Sequence, residues 1–131
     1  MLKLTVKAFK ALADTNRIRI MKMLQSRPLC VCEITSVLDL APSTVSKHLS
    51  ILREAGLIVD ERDAKWVNYR MENNPPETGM REVLSLVRGM LEKDGTVISD
   101  RRKAASADRN SICSGAVPTN APRSTARRIK R

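Results

Sequence analysis

The sequence has few aromatic residues and no long apolar run. Its aromatic residues are Phe9, Trp66 and Tyr69, so a core has to be built from leucine, isoleucine, valine, methionine and alanine. A small core of this kind is often stabilised by dimerisation. A membrane-spanning helix needs about 20 apolar residues, and lysines interrupt the N-terminal segment where a signal peptide would be apolar. We therefore expect a cytoplasmic protein with no membrane partner.

Cysteine and histidine are also scarce. His48 is the single histidine, and the three cysteines are Cys30, Cys32 and Cys113. In a reducing cytoplasm, a small odd number of cysteines is more often metal-binding or redox-active than a disulfide framework. The cysteines are therefore candidate functional residues.

Negative charge is in the minority, because 24 lysines and arginines face 14 acidic residues, a net charge of +10. Such an excess favours an anionic partner such as nucleic acid. The excess is uneven, since residues 94–131 carry +6 and residues 1–93 carry +4. Beyond Gly95 the chain is rich in Ser, Ala, Asn, Pro and Arg without a sustained period, which predicts disorder. We expect a folded domain over residues 1–95 and a basic, disordered tail over 96–131, so that a chain ending at Lys93 should still fold and dimerise.

Apolar periodicity within the folded region predicts helices over residues 1–14, 16–25, 31–39, 42–55 and 80–93. A β-rich run over 57–71, with its turn at 62–65, predicts a hairpin after the fourth helix. Two short helices with a tight connection form a helix-turn-helix. The fold class is therefore mainly α with a β-hairpin wing, a winged helix-turn-helix. The apolar face of the last helix has too few partners in so small a domain, so we expect the first and last helices to pair with their copies in a second subunit.

The helix over 42–55 has one apolar and one polar face. Val45, Leu49 and Leu52 form the apolar stripe. Hydroxyls and an ammonium group on the other face can contact phosphates and base edges in the major groove. The candidate DNA-binding residues on this helix are Ser43, Thr44, Ser46, Lys47 and Ser50, together with His48, which is near the border of the stripe and is expected to be packed or to contact a phosphate.

The predicted hairpin offers two further cations. Arg62 and Lys65 could reach neighbouring phosphates or the minor groove. Asp60, Glu61 and Asp63 dilute the local positive charge. A solvated charged turn is therefore the alternative interpretation.

Cys30 and Cys32 are separated by one residue, directly ahead of the helix-turn-helix. If both lie in a helix, their side chains diverge by about 200°. Cys30 flanks the apolar face and could be a packed residue, because free cysteine is commonly buried. Cys32 lies opposite that face, where packing gains little, which favours a functional thiol.

Four segments, over residues 9–14, 17–20, 29–34 and 43–49, resemble the ArsR/SmtB family of winged-helix repressors. They read Phe-Lys-Ala-Leu-Ala-Asp, Arg-Ile-Arg-Ile, Leu-Cys-Val-Cys-Glu-Ile and Ser-Thr-Val-Ser-Lys-His-Leu. The third resembles the arsenic-responsive branch. The resemblance implies a non-enzymatic homodimer with no permanent cofactor that binds a palindromic operator and leaves it when As(III) or Sb(III), supplied as arsenite or antimonite, binds thiolates. Soft thiolates suit such an ion.

The third cysteine that this branch often has would fall at position 35, which is Thr35. Cys113 could complete a three-thiolate metal site from its own or the partner subunit, or it could be a stray cysteine of the tail. One ion can bridge Cys30 and Cys32 only if the first turn of an intact helix unwinds or distorts, which would strain the helix that positions the DNA-reading helix.

Three alternatives remain to be weighed. A zinc site on the last helix is excluded because residues 79–93 contain no histidine, although cadmium or lead could bind the thiols. A redox or persulfide sensor could link Cys30 or Cys32 to Cys113. A small thiol enzyme such as an arsenate reductase would need an arginine six residues after a cysteine, and those positions are Ser36, Leu38 and Thr119.

Overall fold

The computed structural model describes residues 2–107. Within them the chain is mostly helical with one small antiparallel sheet, which confirms the predicted fold class. No helix in this range combines the length and apolarity needed to cross a membrane. The elements are α1 (Leu2–Leu12), α2 (Thr15–Ser26), β1 (Leu29–Cys30), α3 (Val31–Leu38), α4 (Pro42–Glu54), β2 (Ile58–Asp63), β3 (Trp66–Met71), α5 (Thr78–Gly89) and α6 (Gly95–Ser106).

Local sequence signals set the helix ends around the helix-turn-helix. Asp14 caps α2 by accepting the backbone N–H groups of Asn16 and Arg17 at 2.8 and 3.1 Å. Pro42 is the first residue of α4, where its missing N–H costs nothing. Gly56 follows α4 with φ +80°, a left-handed conformation that L side chains rarely adopt. Each of these signals is local and visible in the sequence.

The sheet has the order β1-β3-β2. The hairpin closes between Asp63 and Trp66, which are partners in the register, so the turn is made by Ala64 and Lys65. Strand β1 was not predicted, because two residues are too few to show a period. It pairs Cys30 with Asn68 of β3, and this places the first cysteine on the sheet.

The core is aliphatic, as the lack of aromatics requires. Helix α2 supplies a large share of the core, and the predicted stripe of α4 is buried in the same core. The largest buried apolar side chains are Ile20, Met21, Met23, Leu29, Ile34, Leu49, Leu52, Leu57, Ile58 and Leu84. The core thus lies between α2, α4, α5 and the base of the sheet.

Helix α6 contradicts the prediction that the whole segment after residue 95 is disordered. Its inner face packs against α2 and α3 and buries Val97, Asp100 and Ala104. The Arg19 guanidinium holds the Asp100 carboxylate through Nε at 2.8 Å and Nη2 at 2.9 Å. A buried face centred on an aspartate gives little apolar periodicity, so the pattern missed it. Residues 108–131, with Cys113, lie outside the described range.

Helix α5 ends at Gly89, earlier than the predicted end near Lys93. The buried Lys22 ammonium donates to the Val87 carbonyl at 2.7 Å and contacts the Glu92 carboxylate at 2.7 Å. A cation at this position complements the negative end of the helix dipole. The chain then turns at Leu91, whose φ is 61°, and enters α6.

Candidate functional site

The outer face of α4 presents the polar residues that the sequence predicted. Ser43, Thr44, Ser46 and Lys47 are exposed, and Ser50 is half-buried. The opposite stripe of Val45, Leu49 and Leu52 is buried. Short hydroxyl side chains and one ammonium group therefore project from a helix whose other side is fixed in the core. This is the arrangement of a helix that enters the major groove.

His48 is half-buried and faces α2. Its Nδ1 lies 3.2 Å from Nη1 of Arg17. Because a guanidinium can only donate, Nδ1 is the acceptor in this contact. Arg17 also donates to the Ala11 carbonyl at 2.7 Å and lies 3.9 Å from the Asp14 carboxylate. Arg17, which the sequence analysis did not single out, thus connects the end of α1 to α4.

The hairpin carries Arg62 and Lys65 as exposed side chains near its tip. Two acidic residues of the hairpin are engaged in ion pairs: Asp60 with Arg53 at 3.4 Å and Glu61 with Arg70 at 3.2 Å. The Lys65 ammonium lies 5.1 Å from the centroid of the Trp66 ring, a cation–π contact. Asp60 and Glu61 are thus neutralised by Arg53 and Arg70.

Cys30 differs from its sequence-based description, because it is not in a helix. It ends β1 and is the N-cap of α3, with extended backbone angles of φ −92° and ψ 170°. The relation of about 200° between two residues of one helix does not apply to this pair. Cys30 is 3% exposed, in agreement with the packed alternative.

The Glu33 carboxylate closes the first turn of α3. Its Oε1 accepts the backbone N–H of Cys30 at 2.9 Å, and its Oε2 accepts from Nη2 of Arg27 at 3.1 Å. Burial, followed by the negative charge of Glu33, raises the pKa of the Cys30 thiol to about 12. Cys30 is therefore a neutral thiol at pH 7. A glutamate three residues after an N-cap is a capping-box signal that could have been read from the sequence.

Cys32 is on the first turn of α3 and is half-buried. Thr35, at the position where a third thiol would fall, donates its hydroxyl to the Cys32 carbonyl at 2.8 Å. Across residues 2–107 there is no group of three or more His, Cys, Asp or Glu side chains that could hold a metal ion. Two cysteines thus lie at the start of α3, of which Cys30 is free and Cys32 is disulfide-bonded. The part of the chain that is described does not preform a three-ligand metal site.

A separate apolar surface is formed by α1 and α5, which contact each other. Phe9 is 51% exposed and Leu86 is 56% exposed. Leu2, Leu4 and Val6 are also exposed on α1. Large apolar side chains on adjacent helices are typical of a protein–protein interface.

Comparison with known proteins gives consistent matches. Residues 14–59 match the family described as "Bacterial regulatory protein, arsR family". The chain is 34% identical over 113 residues to the arsenical resistance operon repressor of Escherichia coli, covering 85% of this chain and 97% of that protein. It is 46% identical over 71 residues to the arsenic resistance transcriptional regulator ArsR1 of Pseudomonas putida, covering 53% of this chain and 55% of that one.

A solved structure is also similar. Reduced HlyU from Vibrio cholerae superposes with a TM-score of 0.59 at 29% sequence identity, over 71% of this chain and 90% of that chain. Sequence and fold therefore point to the same class of DNA-binding regulator.

Proposed function

Because this chain belongs to the arsR family of bacterial regulatory proteins, we propose that it is a homodimeric repressor that binds a palindromic operator and is released when As(III) or Sb(III) binds its cysteine thiolates. The family and the relatives are transcriptional regulators rather than enzymes. The observation that carries the proposal is the pair of cysteines at the start of α3, the helix that packs against the DNA-reading helix α4.

DNA binding is assigned to α4 and the hairpin. The exposed hydroxyls of Ser43, Thr44 and Ser46 contact base edges or phosphates, and Lys47 neutralises a phosphate. Ser50 and His48 lie at the margin of this face. Arg62 and Lys65 on the hairpin contact the flanking backbone.

Dimerisation is assigned to α1 and α5. The exposed apolar side chains on these helices, chiefly Phe9 and Leu86, are covered by their copies in a symmetric pair. A two-fold dimer presents two α4 helices, and its symmetry requires an operator with matching half-sites.

The inducing ligand is assigned to Cys30 and Cys32. Each arsenic–sulfur bond replaces an As–OH bond, and the thiol proton leaves in water. Because Cys30 is buried and is the N-cap of α3, drawing its sulfur toward an ion would disturb the first turn of α3. Cys113 is a candidate third ligand that lies outside the described residues. To take an operator from mostly occupied to mostly empty, the ligand must favour the released state by about 5 kcal/mol.

The test is operator release measured by fluorescence anisotropy, with reduced protein and a DNA duplex selected by the protein from a random pool. Arsenite should release the wild type. The Cys32→Ser variant should bind the duplex with unchanged affinity and stay bound in arsenite. If arsenite releases that variant normally, Cys32 is not part of the binding site.

Cys113→Ser tests whether the third cysteine is a ligand. X-ray absorption at the arsenic edge counts the sulfur ligands in the wild type and in this variant. A fall from three sulfurs to two assigns Cys113 to the site, and an unchanged count shows that Cys113 is not a ligand.

A second candidate is a redox- or persulfide-responsive repressor of the same fold. It is favoured by the similarity to a solved structure that is described as the reduced form of HlyU. In this case two thiols, one of them Cys113, form a disulfide, and their two electrons and two protons reduce peroxide to water. Release by peroxide or persulfide but not by arsenite would select this function and reject the first.

A further inference from the structure

Glu33 is a buried carboxylate with a partner at each oxygen. It is 2% exposed, and its two oxygens accept the Cys30 N–H at 2.9 Å and the Arg27 guanidinium at 3.1 Å. Removing a partner from a buried charged group is costly. The first turn of α3 is therefore held closed by a group that resists displacement.

Arg27 extends this connection to α6. It is the residue that ends α2, and its Nη1 donates to the Ala104 carbonyl at 3.1 Å. A planar guanidinium fixes two acceptors in one geometry, which a flexible ammonium cannot do. One side chain therefore joins the end of α2, the start of α3 and the last turn of α6.

Helix α6 is itself anchored at points that do not involve Arg27. Arg19 binds the buried Asp100 carboxylate, and Arg101 donates from Nε to the Lys22 carbonyl at 3.0 Å. The Ala104 carbonyl is thus a fixed acceptor. We name one connection the Glu33 restraint: it runs from the Ala104 carbonyl through Arg27 and Glu33 to the Cys30 N–H.

The Cys30 side chain is buried, and drawing its sulfur to the surface would displace a residue whose backbone N–H is held by Glu33. We propose that the Glu33 restraint, with Arg27 and Glu33 as positioning residues, sets the concentration of thiol-binding ligand at which the repressor leaves DNA. This inference rests on the proposed function. It adds that α6 controls the sensitivity of the site without contributing a ligand.

The first test needs no arsenic. Amide hydrogen exchange at Cys30 is measured by NMR in the reduced, ligand-free full chain. Arg27→Ala should accelerate exchange of the Cys30 amide about 10-fold, which corresponds to about 1.4 kcal/mol of opening free energy. Arg102→Ala, which removes the same charge from the exposed side of α6, should leave this rate unchanged.

The second test is arsenite titration of the protein–DNA complex. Arg27→Ala and Glu33→Gln should lower the arsenite midpoint about 10-fold by the same relation, while affinity for DNA without arsenite changes less than 2-fold. Arg27→Lys keeps the charge but cannot hold both acceptors, and should give an intermediate midpoint. A loss of DNA affinity that accounts for the whole midpoint shift would show a merely structural role.

The two tests separate the restraint from the proposed function. Equal Cys30 exchange rates in Arg27→Ala and the wild type would overturn the restraint even if arsenite releases both proteins. If arsenite fails to release the wild type, the proposed inducer is wrong, and the exchange rates still decide whether the restraint exists.

Discussion

The buried ammonium of Lys22 offers a direct test of how α5 is attached to the core. Lys22 is 1% exposed, and its Nζ contacts the Val87 carbonyl and the Glu92 carboxylate, each at 2.7 Å, and the Arg88 carbonyl at 3.4 Å. The substitution Lys22→Met keeps an unbranched side chain of similar length and removes the charge. It therefore isolates the ammonium from the packing of its stem.

The expected cost is moderate because each acceptor keeps another partner. The Met90 N–H still reaches the Val87 carbonyl at 3.3 Å, Gln25 still donates to the Arg88 carbonyl at 3.1 Å, and Arg101 still binds Glu92 at 3.0 Å. The loss is that of a charge-assisted hydrogen bond, about 1.5–3 kcal/mol, reduced because the variant no longer desolvates an ammonium. We expect the free energy of unfolding to fall by about 2 kcal/mol.

The assay is urea denaturation followed by far-UV circular dichroism at one fixed protein concentration, since dimerisation makes stability depend on concentration. Lys103→Met on the exposed side of α6 is the matched control and should change stability by less than about 0.5 kcal/mol. A loss above about 4 kcal/mol would mean that an acceptor is left without a partner. A loss equal to that of the control would mean that the ammonium contributes no net stability.

Three further predictions follow from the assigned roles. Lys47→Ala removes one phosphate contact per protomer, so the slope of log affinity against log salt should become shallower by about 1.8 for a dimer. The control Lys103→Ala should leave the slope unchanged. If Lys47→Ala has the same slope as the wild type, Lys47 does not contact the DNA backbone. The pKa of Glu92 is lowered from 4.5 to about 2 by Arg101 and Lys22. The difference in unfolding free energy between the wild type and Glu92→Gln should therefore be present at pH 7 and shrink as the pH falls from 4.5 to 2. A difference that stays constant over this range in urea titrations would contradict the ion pair. Truncation after Lys93 should lower the thermal midpoint because Asp100 is the buried partner of Arg19. An unchanged midpoint in calorimetry would show that α6 adds no stability.

Local patterns explain why much of the DNA-binding half could be predicted. The spacing of Val45, Leu49 and Leu52 fixes which face of α4 is buried, and the polar face then follows from helix geometry alone. Pro42 and Gly56 mark the two ends of the helix in the same local way. The hairpin is encoded by neighbouring residues, because its two strands are adjacent in sequence.

The sequence alone determined the helix-turn-helix, the wing, the aliphatic core and the presence of two cysteines at the start of α3, since each depends on composition or on residues that are close together in the chain. The tertiary structure decided the environment of those cysteines. Cys30 is buried where β1 pairs with β3, and its partner in the register, Asn68, lies 38 residues further along the chain. Helix α6 was hidden because its buried face depends on a distant arginine for Asp100, and contacts of that range leave no period in the sequence.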